Sequence, residues 1–171
     1  MEKSTEFAVA YARAYREAGA DGMVMAEPAS GLLSPSLMEE FSTPYVRRVI
    51  ESVQDDSFAV IFHNCGGSVV KAPDQIASLG AMGYHFGNSI RLRDMLTAMP
   101  GDVMICGNVD PAGTFCNGTP EKMREDTLAV LNDCCEFPNF IPSSGCDIPP
   151  TSPWENIDAF FRTVGEFYQE K

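Results

Sequence analysis

One histidine and two cysteines are the residues of this sequence best suited to act together chemically. His63 and Cys65 stand two positions apart at the end of the apolar run 58–62, which reads as a buried strand. Side chains two apart on a strand point to the same side, so the imidazole and the thiol should face one space. Cys146 follows a second apolar run, 140–142. Zinc prefers such nitrogen and sulfur ligands, and three of them with an open fourth position predict a catalytic zinc site.

The amino-acid composition limits the kinds of partner that the protein is expected to bind. The 171 residues include 12 basic and 24 acidic side chains, giving a net charge of −12. This charge argues against nucleic acid and against an anionic membrane surface as partners. No apolar run approaches the ~20 residues needed to span a bilayer, and the first six residues lack a signal-peptide pattern. We therefore expect a cytoplasmic protein with one domain, residues 1–171, which is enough chain for one sizeable core.

Six cysteines raise the possibility of a disulfide framework. They are Cys65, Cys106, Cys116, Cys134, Cys135 and Cys146. The chain is long and apolar enough to fold without such crosslinks, and nothing in it suggests export. We therefore expect free thiols, with Cys106 in the core.

Strand-like runs and helix-start signals alternate along the chain. The runs that read as strands are residues 22–27, 58–63, 83–88, 102–109 and 140–143. Helix starts are marked by a hydroxyl residue followed by proline, at Ser34-Pro35, Thr43-Pro44, Thr119-Pro120 and Ser152-Pro153. Residues 71–79 also have a helical pattern. The alternation predicts parallel βαβ units, and the polar candidates all follow strands, at the edge where active sites of parallel α/β folds gather.

Two α/β architectures fit this pattern. An open doubly wound sheet suits five strands and this length, although no glycine-rich nucleotide-binding motif occurs. A (β/α)8 barrel needs about 250 residues and three more units. On length alone, the open sheet is favoured.

Several longer motifs point to a known family. They are residues 19–22, 33–35, 63–66, 107–111 and 145–157. In these motifs the chain resembles the uroporphyrinogen decarboxylase superfamily, and within it the corrinoid-dependent methyltransferases, which include the methylcobalamin:coenzyme M methyltransferases. The decarboxylases carry a histidine after the glycine of the last motif and no His-x-Cys at the earlier strand. Here Gly145 is followed by Cys146, and His63-Asn64-Cys65 is present, as in the methyltransferases.

The resemblance implies a different fold from the one that length favours. Family members are (β/α)8 barrels, so the chain is expected to be a partial barrel of about five parallel βα units. These would be strands 4–8, the C-terminal part of the family barrel, without the first three units. The exposed strand edges of such a partial barrel imply a homo-oligomer, or a partner that supplies the missing N-terminal half.

The resemblance also implies an activity. The family's zinc ligands correspond to His63, Cys65 and Cys146. Its reaction moves a methyl group from methylcobalamin, carried on a separate corrinoid protein, to a thiol such as coenzyme M or to another acceptor. Two alternatives stay open: a uroporphyrinogen decarboxylase-like enzyme, and a non-catalytic half-barrel that binds metal or a corrinoid partner. A fragment of a longer enzyme is a further explanation of the length.

Further polar residues follow the predicted strands. Glu27 could occupy the open metal position or take a proton, or it could cap the turn that follows it. Asp147 could support His63 or cap its own loop. These two carboxylates are the candidate catalytic residues.

Two asparagines are candidate cofactor-binding residues. Asn88 could meet substrate or corrinoid, or belong to an ordinary turn. Asn108 could contact substrate or, together with Asp110, hold the loop after the fourth strand. His85 is expected to be a partly buried, hydrogen-bonded residue rather than a fourth metal ligand.

Overall fold

One parallel sheet forms the centre of the protein, in a computed structural model that describes residues 1–169. Its strands are β1 Gly22–Ala26, β2 Ala59–Asn64, β3 Gly83–Phe86, β4 Met104–Val109 and β5 Phe140–Ser144. The α-helices in the described residues are α1 Glu2–Glu17, α2 Pro35–Phe41, α3 Thr43–Val53, α4 Pro73–Ala77, α5 Leu92–Ala98, α6 Pro120–Cys134 and α7 Trp154–Gln169. All five predicted strands are confirmed, with bounds that differ by at most two residues.

The strand order identifies the architecture. The order is β1-β2-β3-β4-β5, and every neighbouring pair is parallel. A doubly wound sheet reverses its order part-way across, whereas a (β/α)8 barrel adds each strand beside the previous one. The observed order is that of part of a barrel. The partial barrel is therefore confirmed and the open sheet favoured by length is wrong, because length carries no information about strand order.

The two faces of the sheet differ in burial. The face that packs on the helices carries Phe62, Tyr84 and Phe86, each completely buried, in a core shared with residues of α3, α4 and α5. Burying a large apolar side chain stabilises a fold by roughly 1.5–3 kcal/mol. The opposite face is less covered: Val24 is 60% and Ile141 42% exposed. This second face is the one that a closed barrel would enclose.

Helix starts follow the predicted signals with three corrections. Ser152, predicted as the N-cap of the last helix, is not one, because α7 begins at Trp154 and the Ser152 hydroxyl has no hydrogen-bond partner in the described residues. The hydroxyl groups of Ser34 and Thr119 each accept a backbone N–H bond, at 3.3 Å, as predicted for N-caps. Thr43 is instead the first residue of α3, and Ser42 precedes the helix. The helix predicted over 71–79 is shorter and begins at Pro73. Proline disfavours helical dihedrals in the residue before it, and Ala72 has φ −142°.

The described residues contain no helix long and apolar enough to cross a membrane. None of the six cysteines, all of which lie in the described residues, forms a disulfide. Cys106 lies in the buried interior, where desolvation raises the pKa of its thiol to about 11. Cys106 is therefore an unreactive core residue, whereas Cys65 and Cys146 are half-buried.

Strands β1 and β5 form the two outer edges of the described sheet. Beside β1, an apolar groove of about 430 Å³ runs between the strand and α1. Phe7, Tyr11 and Tyr15 form an aromatic row on α1, in which Phe7 stacks on Tyr11 and Tyr11 meets Tyr15 edge to face, and Phe7 is 70% exposed. A monomeric surface rarely carries such a continuous apolar feature without a partner.

Candidate functional site

Two loops bring the histidine and the two cysteines together at the carboxyl edge of the sheet. His63 lies near the end of β2, Cys65 follows that strand, and Cys146 lies in the loop after β5. Their ligand atoms all lie within 4.8 Å of one another. Cys146 Sγ lies 3.3 Å from His63 Nε2. His63 and Cys146, which are 83 positions apart in sequence, thus lie close together. With Cys65 they form a set of one nitrogen and two sulfur donors, which suits zinc.

The tautomer of His63 leaves the correct nitrogen free. His63 Nδ1 lies 3.1 Å from the backbone oxygen of His85, which can only accept, so Nδ1 carries the hydrogen. The Nε2 lone pair then points toward Cys146. Burial, followed by the nearby charge of His85, lowers the pKa of His63, while the charge of Asp147 opposes this shift. A neutral imidazole fixed in this tautomer is the form that binds metals.

Cys146 has the protonation behaviour of a thiol that a metal must activate. Burial raises the pKa of Cys146; a hydrogen bond with the Asp147 backbone opposes the rise, while Cys65 and the charge of Asp147 add to it. The thiol therefore keeps its proton at neutral pH, and binding of a metal to such a thiol would release that proton.

Asn64 holds the turn between His63 and Cys65. Its side-chain amide donates to the Glu27 backbone oxygen at 2.6 Å and to Ser30 Oγ at 2.7 Å. Its Oδ1 accepts from Gly66 N–H at 2.8 Å. Sequence reasoning gave Asn64 no role. The available signal was strand alternation, which places this amide on the buried face, where a polar group requires partners.

The loops after β1 and β2 touch backbone to backbone. A Cβ built on Gly66 would lie 2.4 Å from Gly31 Cα, which is closer than any real contact. We expect Gly66→Ala to lower the free energy of unfolding by about 1–3 kcal/mol, the usual cost of overpacking. Urea unfolding measures this change. The matched control is Gly67→Ala, whose Cβ would meet only Ser89 O at 3.8 Å; equal losses in the two variants would contradict the packing argument.

The two candidate catalytic carboxylates have different surroundings. Glu27 Oε1 accepts from Ser30 N–H at 3.1 Å and Oε2 accepts from Ser42 Oγ at 3.0 Å, so the side chain caps the turn at 28–32. Asp147 instead lines a cleft of about 470 Å³ next to the donor set. The cleft is lined by Val24, Ala26, His63, His85, Ser144, Cys146, Asp147 and Ile148. A catalytic role stays a prediction for both carboxylates, and Asp147 has the access that such a role needs.

The two candidate cofactor-binding asparagines lie at the same edge of the sheet. Asn108 is buried, and its amide donates to the backbone oxygens of Gly87 and Ile90 at 3.1 and 2.9 Å. Asn88 is exposed, and its backbone lies against Gly145: a Cβ there would be 2.7 Å from Asn88 N. Asn108 thus holds the loop after β3, so the prediction that it holds the loop after the fourth strand is wrong, while Asn88 lies beside the loop of Cys146. Cofactor binding by either residue stays a prediction.

Two further sequence interpretations are confirmed by hydrogen bonds. Asp110 accepts from the N–H groups of Ala112 and Gly113, each at 2.9 Å, and so holds the loop after β4. His85 is half-buried, and its Nε2 lies 2.7 Å from the Ser144 backbone oxygen.

Comparisons with known proteins match the chain to relatives of two activities. The family model described as "Uroporphyrinogen decarboxylase (URO-D)" matches residues 1–167. The methylcobamide:CoM methyltransferase MtbA of Methanosarcina acetivorans is 28% identical over 162 residues, covering 92% of this chain and 45% of the relative. The uroporphyrinogen decarboxylase of Desulfotalea psychrophila is 30% identical over 155 residues, covering 91% of this chain and 44% of the relative.

A solved structure of a methyltransferase from Methanosarcina mazei superposes with a TM-score of 0.80 at 25% identity. The match covers 96% of this chain and 47% of that one. The chain therefore spans about half the length of the curated relatives and of the structure that it matches.

Proposed function

The chain belongs to the uroporphyrinogen decarboxylase (URO-D) family, and from this premise we propose that it is a zinc-dependent methyltransferase or a part of one. The methyl donor would be a methylated corrinoid on a separate protein, and the acceptor a thiol such as coenzyme M or another small nucleophile. Relatives of both activities match at similar identity, 28% and 30%, so identity does not choose between them. The convergence of His63, Cys65 and Cys146 within 4.8 Å carries the proposal.

The residues of this chain would hold the metal and shape its surroundings. His63 would bind through Nε2, with its ring oriented by the His85 backbone oxygen. Cys65 and Cys146 would bind as thiolates, whose two charges offset those of the cation. Zinc in such a site lowers the pKa of an acceptor thiol and keeps it nucleophilic at neutral pH. The cleft beside Asp147 leaves room for the acceptor on the open side.

The charge of the cleft argues against decarboxylation of a porphyrinogen. That reaction handles a large polyanion and needs positive charge around it. The residues that line the cleft include no Arg or Lys. Arg91 and Arg93, which follow β3, are paired with Asp133 and Glu136 around α6. This chain therefore offers a site suited to alkyl transfer to sulfur.

An assay of methyl transfer tests the proposal. We expect the chain, completed by the remaining barrel units in cis or in trans, to demethylate methylcobalamin in the presence of thiols, followed by cobalamin absorbance. Cys65→Ala and Cys146→Ala should lose most of this rate. Equal rates in the wild-type and variant proteins would contradict the role of the zinc site. If the completed barrel binds metal but transfers no methyl group, the result would favour the non-catalytic alternative.

We also propose that the exposed edges of the sheet cause self-association. The apolar groove beside β1 and the aromatic row on α1 would be covered by a second copy of the chain. We expect a dimer in light scattering at micromolar concentration. Phe7→Glu, which places a charge in the aromatic row, should shift the mass toward the monomer, whereas Glu6→Gln on the same helix should not. A wild-type chain that is monomeric under these conditions would contradict the proposal.

A further inference from the structure

We infer that His85 is a positioning residue of the metal centre, holding the loop of one ligand with its ring while its backbone orients another ligand. The inference rests on the proposed metal centre. His85 Nε2 lies 2.7 Å from the backbone oxygen of Ser144, two residues before Cys146. The backbone oxygen of His85 accepts the Nδ1 hydrogen of His63. One residue of β3 is thus connected to the ligand of β2 and to the ligand that follows β5.

The bond from His85 to Ser144 passes over an intervening strand. The sheet order places β4 between β3 and β5, and Cys106 of β4 is the register partner of His85. Two strand spacings, roughly 9–10 Å, separate the backbones of β3 and β5. The small thiol of Cys106 leaves the imidazole room to cross. The hydrogen bond therefore holds the end of β5 toward β2, on the side where Cys146 lies next to His63.

Without the ring of His85, the hydrogen bonds of residues 144–145 reach only β4 and the loop itself, although Gly145 packs against the Asn88 backbone after β3. Gly145 N–H donates to the Val109 backbone oxygen at 2.7 Å, which links the loop to β4. Ser144 Oγ donates to the Cys146 backbone oxygen at 2.8 Å, within the loop itself. Neither bond reaches β2 or β3. The His85 ring also lies against the His63 ring, with centroids 4.5 Å apart, which limits rotation of the ligand.

The chemistry of the bond separates positioning from metal ligation. A backbone oxygen only accepts hydrogen bonds, so His85 Nε2 carries a hydrogen, and that nitrogen has no lone pair to offer a metal. His85 also does not belong to the group whose ligand atoms lie within 4.8 Å of one another, so the donor set remains His63, Cys65 and Cys146, and His85 acts on it from outside. Loss of an outer hydrogen-bonding partner typically lowers metal affinity about 10–100-fold.

Cobalt(II) binding by two variants tests the inference. His85→Phe keeps a ring of similar size and removes the donor, while His85→Gln keeps an N–H donor at the same distance along the side chain. The backbone oxygen that binds His63 is unchanged in both. We expect His85→Phe to weaken cobalt affinity about 10–100-fold, measured by competition with a chelator. His85→Gln should restore the affinity to within a few-fold of the wild-type value.

The absorption spectrum of bound cobalt adds a readout that a general loss of stability would not change. We expect the ligand-field and thiolate charge-transfer bands to keep their positions in both variants, because the three ligands are the same. Three results would each overturn the inference. They are wild-type affinity in His85→Phe, equally weak binding in both variants, and band positions that show the loss of a nitrogen ligand. A wild-type chain that binds no cobalt would overturn the proposed metal centre as well, so the two failures are distinguishable.

Discussion

Replacing Cys146 by serine should lower the zinc affinity of the chain by at least about 100-fold. Loss of an outer partner already costs about 10–100-fold, and a direct thiolate ligand contributes more. A serine hydroxyl keeps its proton near neutral pH, so it supplies neither the charge nor the soft donor that a thiolate offers. Cys65→Ser should have an effect of the same order. Competition with a chromophoric chelator measures the affinities.

Cys116→Ser is the matched control for these two variants. Cys116 is also a free, half-buried thiol in a loop at the same edge of the sheet, where its Sγ lies 3.5 Å from Thr151 Oγ1. It does not belong to the group that converges on His63. Zinc affinity should therefore stay at the wild-type value. Equal affinity in Cys146→Ser and Cys116→Ser would show that zinc binds elsewhere.

Replacing Asn64 by leucine should destabilise the fold by about 3 kcal/mol or more. Leucine fills a similar volume but neither donates nor accepts, so the Glu27 backbone oxygen, Ser30 Oγ and Gly66 N–H each lose one bond. Ser30 Oγ still donates to the Glu27 oxygen, whereas Gly66 N–H loses its only side-chain acceptor. A buried polar group left unsatisfied costs roughly 1–3 kcal/mol. Asn64 is completely buried, so water cannot replace the lost bonds without opening the turn. Urea unfolding of the metal-free protein measures the loss.

The same substitution at an exposed asparagine provides the comparison. Asn132 lies on an exposed position of α6, and Asn132→Leu should change the free energy of unfolding by no more than about 0.5 kcal/mol. Similar unfolding midpoints for Asn64→Leu and Asn132→Leu would refute the role assigned to the Asn64 bonds.

Local patterns in the sequence were sufficient to predict the strands and the pairing of His63 with Cys65. Apolar runs predicted each strand because a strand buried on its helix-facing side needs one, and the two-residue spacing predicted that His63 and Cys65 act together. The shared edge of parallel strands then made Cys146 a candidate. Architecture was harder: length favoured the open sheet, and only the family motifs at 63–66 and 145–157 indicated the barrel.

The contacts that hold the site were beyond local patterns. Each joins segments that are far apart in sequence and share no periodic signal: Gly31 against Gly66, Asn64 to Glu27 and Ser30, and His85 to Ser144. The role of Thr43 was misassigned for a similar reason. A hydroxyl–proline pair locates a helix start only to within one residue. Here α3 begins one position earlier than predicted, at Thr43, and the hydroxyl of Ser42 before it donates to Glu27.

The order of the strands along the chain also governs how the protein assembles. Each strand pairs only with strands that precede or follow it directly in sequence, so a chain emerging from the ribosome can add one βα unit at a time. His63 and Cys65 belong to the second of these units, whereas Cys146 arrives only after the fifth strand has docked on β4. Until then the chain would hold only His63 and Cys65, an incomplete set of the proposed ligands with weak affinity for metal. In the proposed zinc site, tight binding would begin only when β5 is in place, so zinc would selectively stabilise the five-stranded sheet over partly folded forms.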